Sequence, residues 1–213
     1  MELIERSELR TNQEDFMWIG ITILVVLVLL VLFVIGIYNR LVALRNQVKN
    51  AWSQIDVQLQ RRYDLIPNLV ETVKGYMGYE KGTLEAVINA RTQAVAARDQ
   101  VEKSGGPTEG GSLKQLLGAE MTLQKSLGNI FALAENYPQL RASETMQRLQ
   151  EELSSTENKV AFARQAYNDQ GMMYNTTQQE FPAVLVAAMF GHHPVDMYAV
   201  ENQEAKNAVK VSF

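Results

Sequence analysis

The residues best placed to do chemistry in this chain are the charged and polar side chains that fall on otherwise apolar helical stripes. Glu80 and Arg91 share one such stripe, Glu120 lies on a second, and Asn158 and Arg164 sit near a third. A buried charge without a partner is costly, so inward-facing residues of these types must form arginine–carboxylate pairs, a polar layer that sets helix register. A small rotation of each helix instead leaves them at the stripe's edge, and the spacing is compatible with both placements. Paired carboxylates in a bundle also suit a di-iron site. That chemistry takes a Glu-x-x-His on two helices, which the sequence lacks.

The histidines are His192 and His193, adjacent and followed by Pro194. A metal would need two or more further ligands, and Asp196 and Glu201 are only loose candidates, so a solvated pair is expected, with no metal and no cofactor. Arg61, Arg62, Tyr63 and Asp64 come just before Pro67 and form a candidate docking tip at a helix turn, roughly 40 Å from the membrane at 1.5 Å per residue. Tyr63, Tyr76, Tyr167 and Tyr174 have core or core-edge spacing, with hydroxyls expected at the rim. Phosphate-loop, nucleophile-elbow, helical zinc and dinucleotide motifs are absent from the sequence, and no catalytic residue is assigned. The absence of cysteine removes disulfides, thiol nucleophiles and cysteine-ligated zinc. A net charge of -4 and a pI near 5.3 lack the basic face that nucleic acid requires, so no nucleic-acid partner is expected.

What positions these residues begins with an uncharged run over 16–39, fenced by Asp15 and Arg40. About 20 apolar residues at 1.5 Å each cross a hydrocarbon core of roughly 30 Å, so the run predicts a transmembrane helix. A cleaved signal peptide fits poorly, because the N-flank is acidic and the run ends without a small-residue cleavage site. Arg40, Arg45 and Lys49 follow the span closely, whereas Arg6 and Arg10 precede it with the terminal amine. The positive-inside rule therefore places a short tail (1–15) outside and the domain in the cytoplasm.

Beyond the span, apolar residues recur at Leu41, Leu44, Val48, Trp52, Ile55 and Leu59, which predicts that the transmembrane helix runs straight on. Pro67 predicts a break at 64–67. A second helix then carries Leu69, Val73, Met77, Leu84, Val87 and Val95. The glycine-rich stretch 103–112 is a predicted mobile loop, Ser112 a cap for a third helix, and Pro138 its end. A fourth helix carries Met146, Leu149, Leu153, Thr156, Val160, Ala163, Tyr167, Gln170 and Tyr174 in steps of three and four. A short helix over 181–191 precedes a flexible, largely disordered tail, 192–213. The class predicted is all-α, an N-terminal transmembrane helix continuing into an antiparallel four-helix bundle over 40–191.

Three blocks carry a resemblance. Ala51-Trp52-Ser53-Gln54-Ile55-Asp56-Val57-Gln58-Leu59 with Arg61-Arg62-Tyr63-Asp64-Leu65-Ile66-Pro67-Asn68, then Glu157-Asn158-Lys159-Val160-Ala161-Phe162-Ala163-Arg164-Gln165-Ala166-Tyr167-Asn168, then Phe181-Pro182 with 187–191, closely resemble the LemA family of bacterial membrane proteins. The resemblance covers about 38–191. It implies a single span, a helical bundle, an external tail and a cytoplasmic domain at the bacterial inner membrane, and it carries over no activity. Two departures stand out: His192-His193 follow Gly191 where another aromatic is usual, and the tail is longer and more polar. The function expected is that of a membrane-anchored scaffold, homo-oligomeric or docked on another membrane protein. The alternatives are an accessory factor of a membrane protease or envelope-stress system, and a metal-dependent hydrolase using Glu80, Glu120 and His192.

Overall fold

The computed structural model of the protein describes residues 2–107 and 111–198, with side chains from residue 17 onward. Its helices are α1 Glu2–Lys74, α2 Lys81–Lys103, α3 Ser112–Ala134, α4 Pro138–Arg141, α5 Glu144–Gln179 and α6 Ala183–Met189, and no strand occurs among the described residues. The chain divides into two compact units. One holds the residues up to Ala43 together with Thr177–His192, and the other holds Leu44–Thr176 and the chain from His193.

In the second unit, α1, α2, α3 and α5 share one core. Leu44, Val48, Trp52, Ile55, Leu59 and Ile66 of α1 join Val87 and Ala94 of α2, Leu116, Leu123 and Ile130 of α3, and Leu153, Val160 and Tyr167 of α5. Steps of three and four put each set on one face of its helix. Cross-helix pairs fix the directions: Asp56 meets Arg98 and Tyr63 meets Arg91, seven residues forward on α1 against seven back on α2. These helices are antiparallel with a two-turn repeat. Trp52 is buried against Tyr167.

Pro67 does not interrupt α1, contrary to expectation; it lies inside the helix. The proline lacks the N–H that would bond the carbonyl four residues back. Arg91 supplies the missing donor, its Nε donating to the Tyr63 carbonyl oxygen at 2.7 Å. Burial of Ile66, Leu69, Val70 and Val73 holds the last turns in place, so Leu69 and Val73 belong to α1 and not to the second helix. Arg91→Ala is expected to cost about 1–3 kcal/mol by orphaning that carbonyl. In a Pro67→Ala background, where the backbone regains its own donor, the cost should fall. A double-mutant cycle in urea checks this, and strictly additive losses would count against it.

The turn falls later, at 75–80, where Met77 is buried as a plug. After α2, the Gly106 N–H closes on the Val101 carbonyl with φ 99, a conformation that favours glycine. Ser112 is not a cap. It is the first residue of α3, Gly111 at φ 91 takes the capping position, and the Ser112 hydroxyl lies 3.2 Å from that of Ser104. Nor does Pro138 close α3, which ends at Ala134; Pro138 opens the single-turn α4, where its missing N–H is no loss.

In the first unit, α1 carries a segment long and apolar enough to cross a membrane, and none of that segment is buried in the structure. A core helix of this composition would be covered, whereas here large apolar side chains from Met17 to Ile35 lie open. Val186 and Ala187 of α6 pack with Leu41 of α1, flanked by Val34 and Ile37.

Candidate functional site

The centre of the bundle is a buried polar triad of Glu120, Arg62 and Tyr63, of which the helical pattern put only Glu120 on an apolar stripe beforehand as a charged residue. Glu120 occupies a core position of α3, between Leu116 and Leu123, and is 3% exposed. Both its carboxylate oxygens are taken: Arg62 Nη1 donates to Oε2 at 3.2 Å and the Tyr63 hydroxyl to Oε1 at 2.5 Å. Removal from water raises the Tyr63 pKa far above the ordinary tyrosine value, and the Glu120 carboxylate raises it further. Tyr63 is therefore held as a neutral donor. A groove of about 310 Å³ beside Leu127, Leu153 and Glu157 reaches Arg62, and Gln124 Nε2 donates to Glu157 Oε1 at 2.8 Å at its side.

A second polar tie joins α1 to α2. Arg98 grips Asp56 through Nε and Nη2 at 2.5 and 2.9 Å and also donates to Gln60 at 2.8 Å. The fork geometry is the kind that a lysine could not reproduce. Hydrogen bonding to Asp56 raises the Arg98 pKa above its already high ordinary value.

The candidate residues from the sequence therefore separate. Glu120 is in the core, and Arg91 is half-buried and engaged on Tyr63's backbone. Glu80 is half-buried, leads into α2 and accepts a long bond from the Tyr137 hydroxyl at 3.4 Å. Asn158 is exposed on α5, and Arg164 lies over the Tyr198 ring at 4.5 Å. They form no single layer. The docking tip at 61–64 is also corrected: Arg61 and Asp64 are exposed, but Arg62 and Tyr63 face the core, because the helix continues through Pro67 and keeps them in mid-helix. The Tyr63 hydroxyl is likewise interior rather than at the rim, and Tyr76 is exposed. His193 is exposed whereas His192 is buried, its ring edge-on to Tyr38. Among the described residues no group of three or more potential ligands converges as a metal requires.

The feature missed from sequence lies in the supposed tail. Residues 193–198 do not hang free; they form an extended strap on α5, while 199–213 lie outside the described residues. Asn175 bonds both backbone groups of Val195, accepting from its N–H at 2.8 Å and donating to its carbonyl at 2.9 Å. Asn168 does the same for Tyr198, at 2.8 and 3.2 Å. Seven helical residues rise about 10.5 Å and three extended residues span about 10 Å, so two asparagines seven apart match two strap residues three apart. Between them Gly171 leaves room, since a Cβ there would lie 3.2 Å from Val195 Cγ2 and 3.3 Å from Met197 Sδ. Tyr167 donates to the Asp196 carbonyl at 2.7 Å. Tyr198 is 3% exposed and inserts beside Trp52; burial pushes its hydroxyl up to about 12, against the lowering effect of the Arg164 cation. The Asn-x-x-Gly-x-x-x-Asn spacing was the available signal.

An exposed apolar helix of bilayer length, continuous with helices packed round a buried ion pair, defines a membrane-associated helical bundle. The chain belongs to the LemA family, whose profile matches residues 51–213. That match takes in the strap. The chain is 26% identical to magnetosome protein MamQ of Magnetospirillum gryphiswaldense over 174 residues, covering 76% of this chain and 64% of that one. It is 27% identical to magnetosome protein MamQ 2 of Paramagnetospirillum magneticum over 168 residues, 72% of this chain and 61% of that one. It thus spans less than two thirds of the length of these relatives. Protein LemA of Metamycoplasma hominis is 23% identical over 210 residues, 95% of this chain and 90% of the relative.

Proposed function

We propose that this protein is a membrane-anchored scaffold of the bacterial inner membrane, with its short tail outside and its bundle cytoplasmic. It acts by associating with its own copies or with another membrane protein, and not by catalysis. The observation that carries this reading is a groove of about 520 Å³ between α1 and α5, in which Val57, Ala163 and Ala166 alternate with Ser53, Gln54, Gln58 and Lys159 and over which stands Phe162, 73% exposed. Exposed Val57 and Phe162 rimmed by polar side chains are a feature of contact surfaces. The interhelical polar groups support it too, since the buried Glu120 and Arg62 and the part-buried Arg98 are spent on joining helices. The names of the family and of its relatives are not names of reactions, and the basic residues following the span favour the cytoplasmic placement.

A photo-crosslinking residue at Phe162, introduced into the full chain in native membranes, should give a discrete adduct, either a second copy or one foreign membrane protein. The adduct should weaken several-fold on Val57→Ser. Labelling no stronger than at the exposed Lys125 on α3 would remove this surface from consideration.

A further inference from the structure

The reading of 16–39 as a membrane span leaves the outer face of α6 unexplained. Residues 181–191 carry no charge. Val186 and Ala187 turn inward onto α1, while Leu185 and Met189, four apart and so on one face of the helix, are open at 59% and 77%, and Phe181, in the turn before the helix, is open at 82%. Phe190 is also half open and packs its ring 4.7 Å from that of Tyr38. Water is a poor neighbour for so many large apolar groups on seven residues of helix and its flanks.

The level of α6 along α1 says what covers them. Its contacts are Val34, Ile37 and Leu41, so it lies beside the last turns of the apolar span and the first turn beyond. Trp18 and Tyr38 mark the two ends of that span: twenty helical residues separate them, about 30 Å, the thickness of a hydrocarbon core. Aromatic side chains at both levels match the belts found at membrane–water interfaces, and Arg40 follows at once, where a basic side chain reaches the headgroups. We infer that residues 181–190 are a lipid-inserted wedge, lying in the plane of the leaflet on the bundle's side, with Phe181, Leu185 and Met189 among the upper acyl carbons. The inference rests on the membrane-span reading. The occupant of this face is lipid and not a protein, because the surface is continuous with the apolar wall of the span itself.

The chain has no cysteine, so single sites can be labelled without background. The full chain in phosphatidylethanolamine–phosphatidylglycerol vesicles would carry an environment-sensitive fluorophore at Leu185→Cys, at Val28→Cys in mid-span, or at Ser154→Cys on α5. Lipids spin-labelled at a shallow or a deep acyl carbon serve as quenchers. Leu185→Cys should be quenched several-fold more than Ser154→Cys, and more by the shallow label; Val28→Cys should favour the deep one. Met189→Cys repeats the measurement one turn along. Quenching at Val28→Cys with none at Leu185→Cys and Met189→Cys overturns the wedge and leaves the span standing, whereas no quenching at any site overturns both. Blue-shifted but unquenched emission at Leu185→Cys means protein covers the face and overturns the lipid assignment.

Discussion

Glu120→Leu is expected to lower the unfolding free energy by about 3–5 kcal/mol, because it leaves the Arg62 guanidinium buried without a counter-charge and the Tyr63 hydroxyl without an acceptor. For a chain of this size that corresponds to a fall of roughly 6–20 °C in Tm. The informative companion is the triple change Arg62→Met, Tyr63→Phe, Glu120→Leu, which removes every polar partner at once. Apolar groups of similar volume often replace a buried ion pair at little cost, so the triple variant should recover most of the loss. Circular dichroism of the full chain in detergent measures all of these. If Glu120→Leu alone melted like the wild type, the triad would not be the buried tie described. If the triple variant were worse than the single, the pair would be contributing stability outright and not only register.

Tyr198→Ala is expected to cost about 3–5 kcal/mol, the range for deleting a large aromatic ring from a packed core, although sequence alone had set the residue in a flexible tail. The ring lies beside Trp52 and beneath the Arg164 guanidinium, so its removal empties a cavity at the bundle's centre and does not merely trim an end. The asparagine clamps can be separated from the ring by hydrogen exchange. Asn175→Ala should release the Val195 amide and Asn168→Ala the Tyr198 amide, each selectively, because each amide donates to one of these side chains. Protection that survives both substitutions would show the strap is held by packing alone. The backbone-directed nature of these bonds has a physical consequence: they fix where an extended chain lies with no demand on which side chains it carries, leaving Val195 and Tyr198 to supply the selectivity.

Much of the architecture was legible before any coordinates. The uncharged run over 16–39, the steps of three and four on the later helices and the glycine-rich stretch 103–112 each express a local property: the cost of charge in hydrocarbon, the 3.6-residue period, and the poor helix propensity of glycine. Glu120 was legible for the same reason as a residue on an apolar stripe, but not as a core position, since the spacing suited the stripe's edge equally. Reading Pro67 as a break failed because a proline's defect is the loss of one donor, and Arg91, 24 positions further along the chain, supplies another. The error then spread, since placing a turn at 64–67 made Arg62 and Tyr63 a surface tip. The strap was missed because an extended segment held by side-chain amides has no periodicity of its own; its pattern is written on α5, in Asn168, Gly171 and Asn175.

Periodicity and composition, which act between near neighbours, determined that this protein has an apolar bilayer-length helix, helical stripes to bury and charges on those stripes. Only the tertiary structure decided which charge meets which, that Arg91 carries α1 through Pro67, and that Val195 and Tyr198 are part of the core. The physical reason is that a helix fixes the direction in which a side chain points, while the identity of its partner depends on the rotation and axial shift of another helix, which no local pattern encodes.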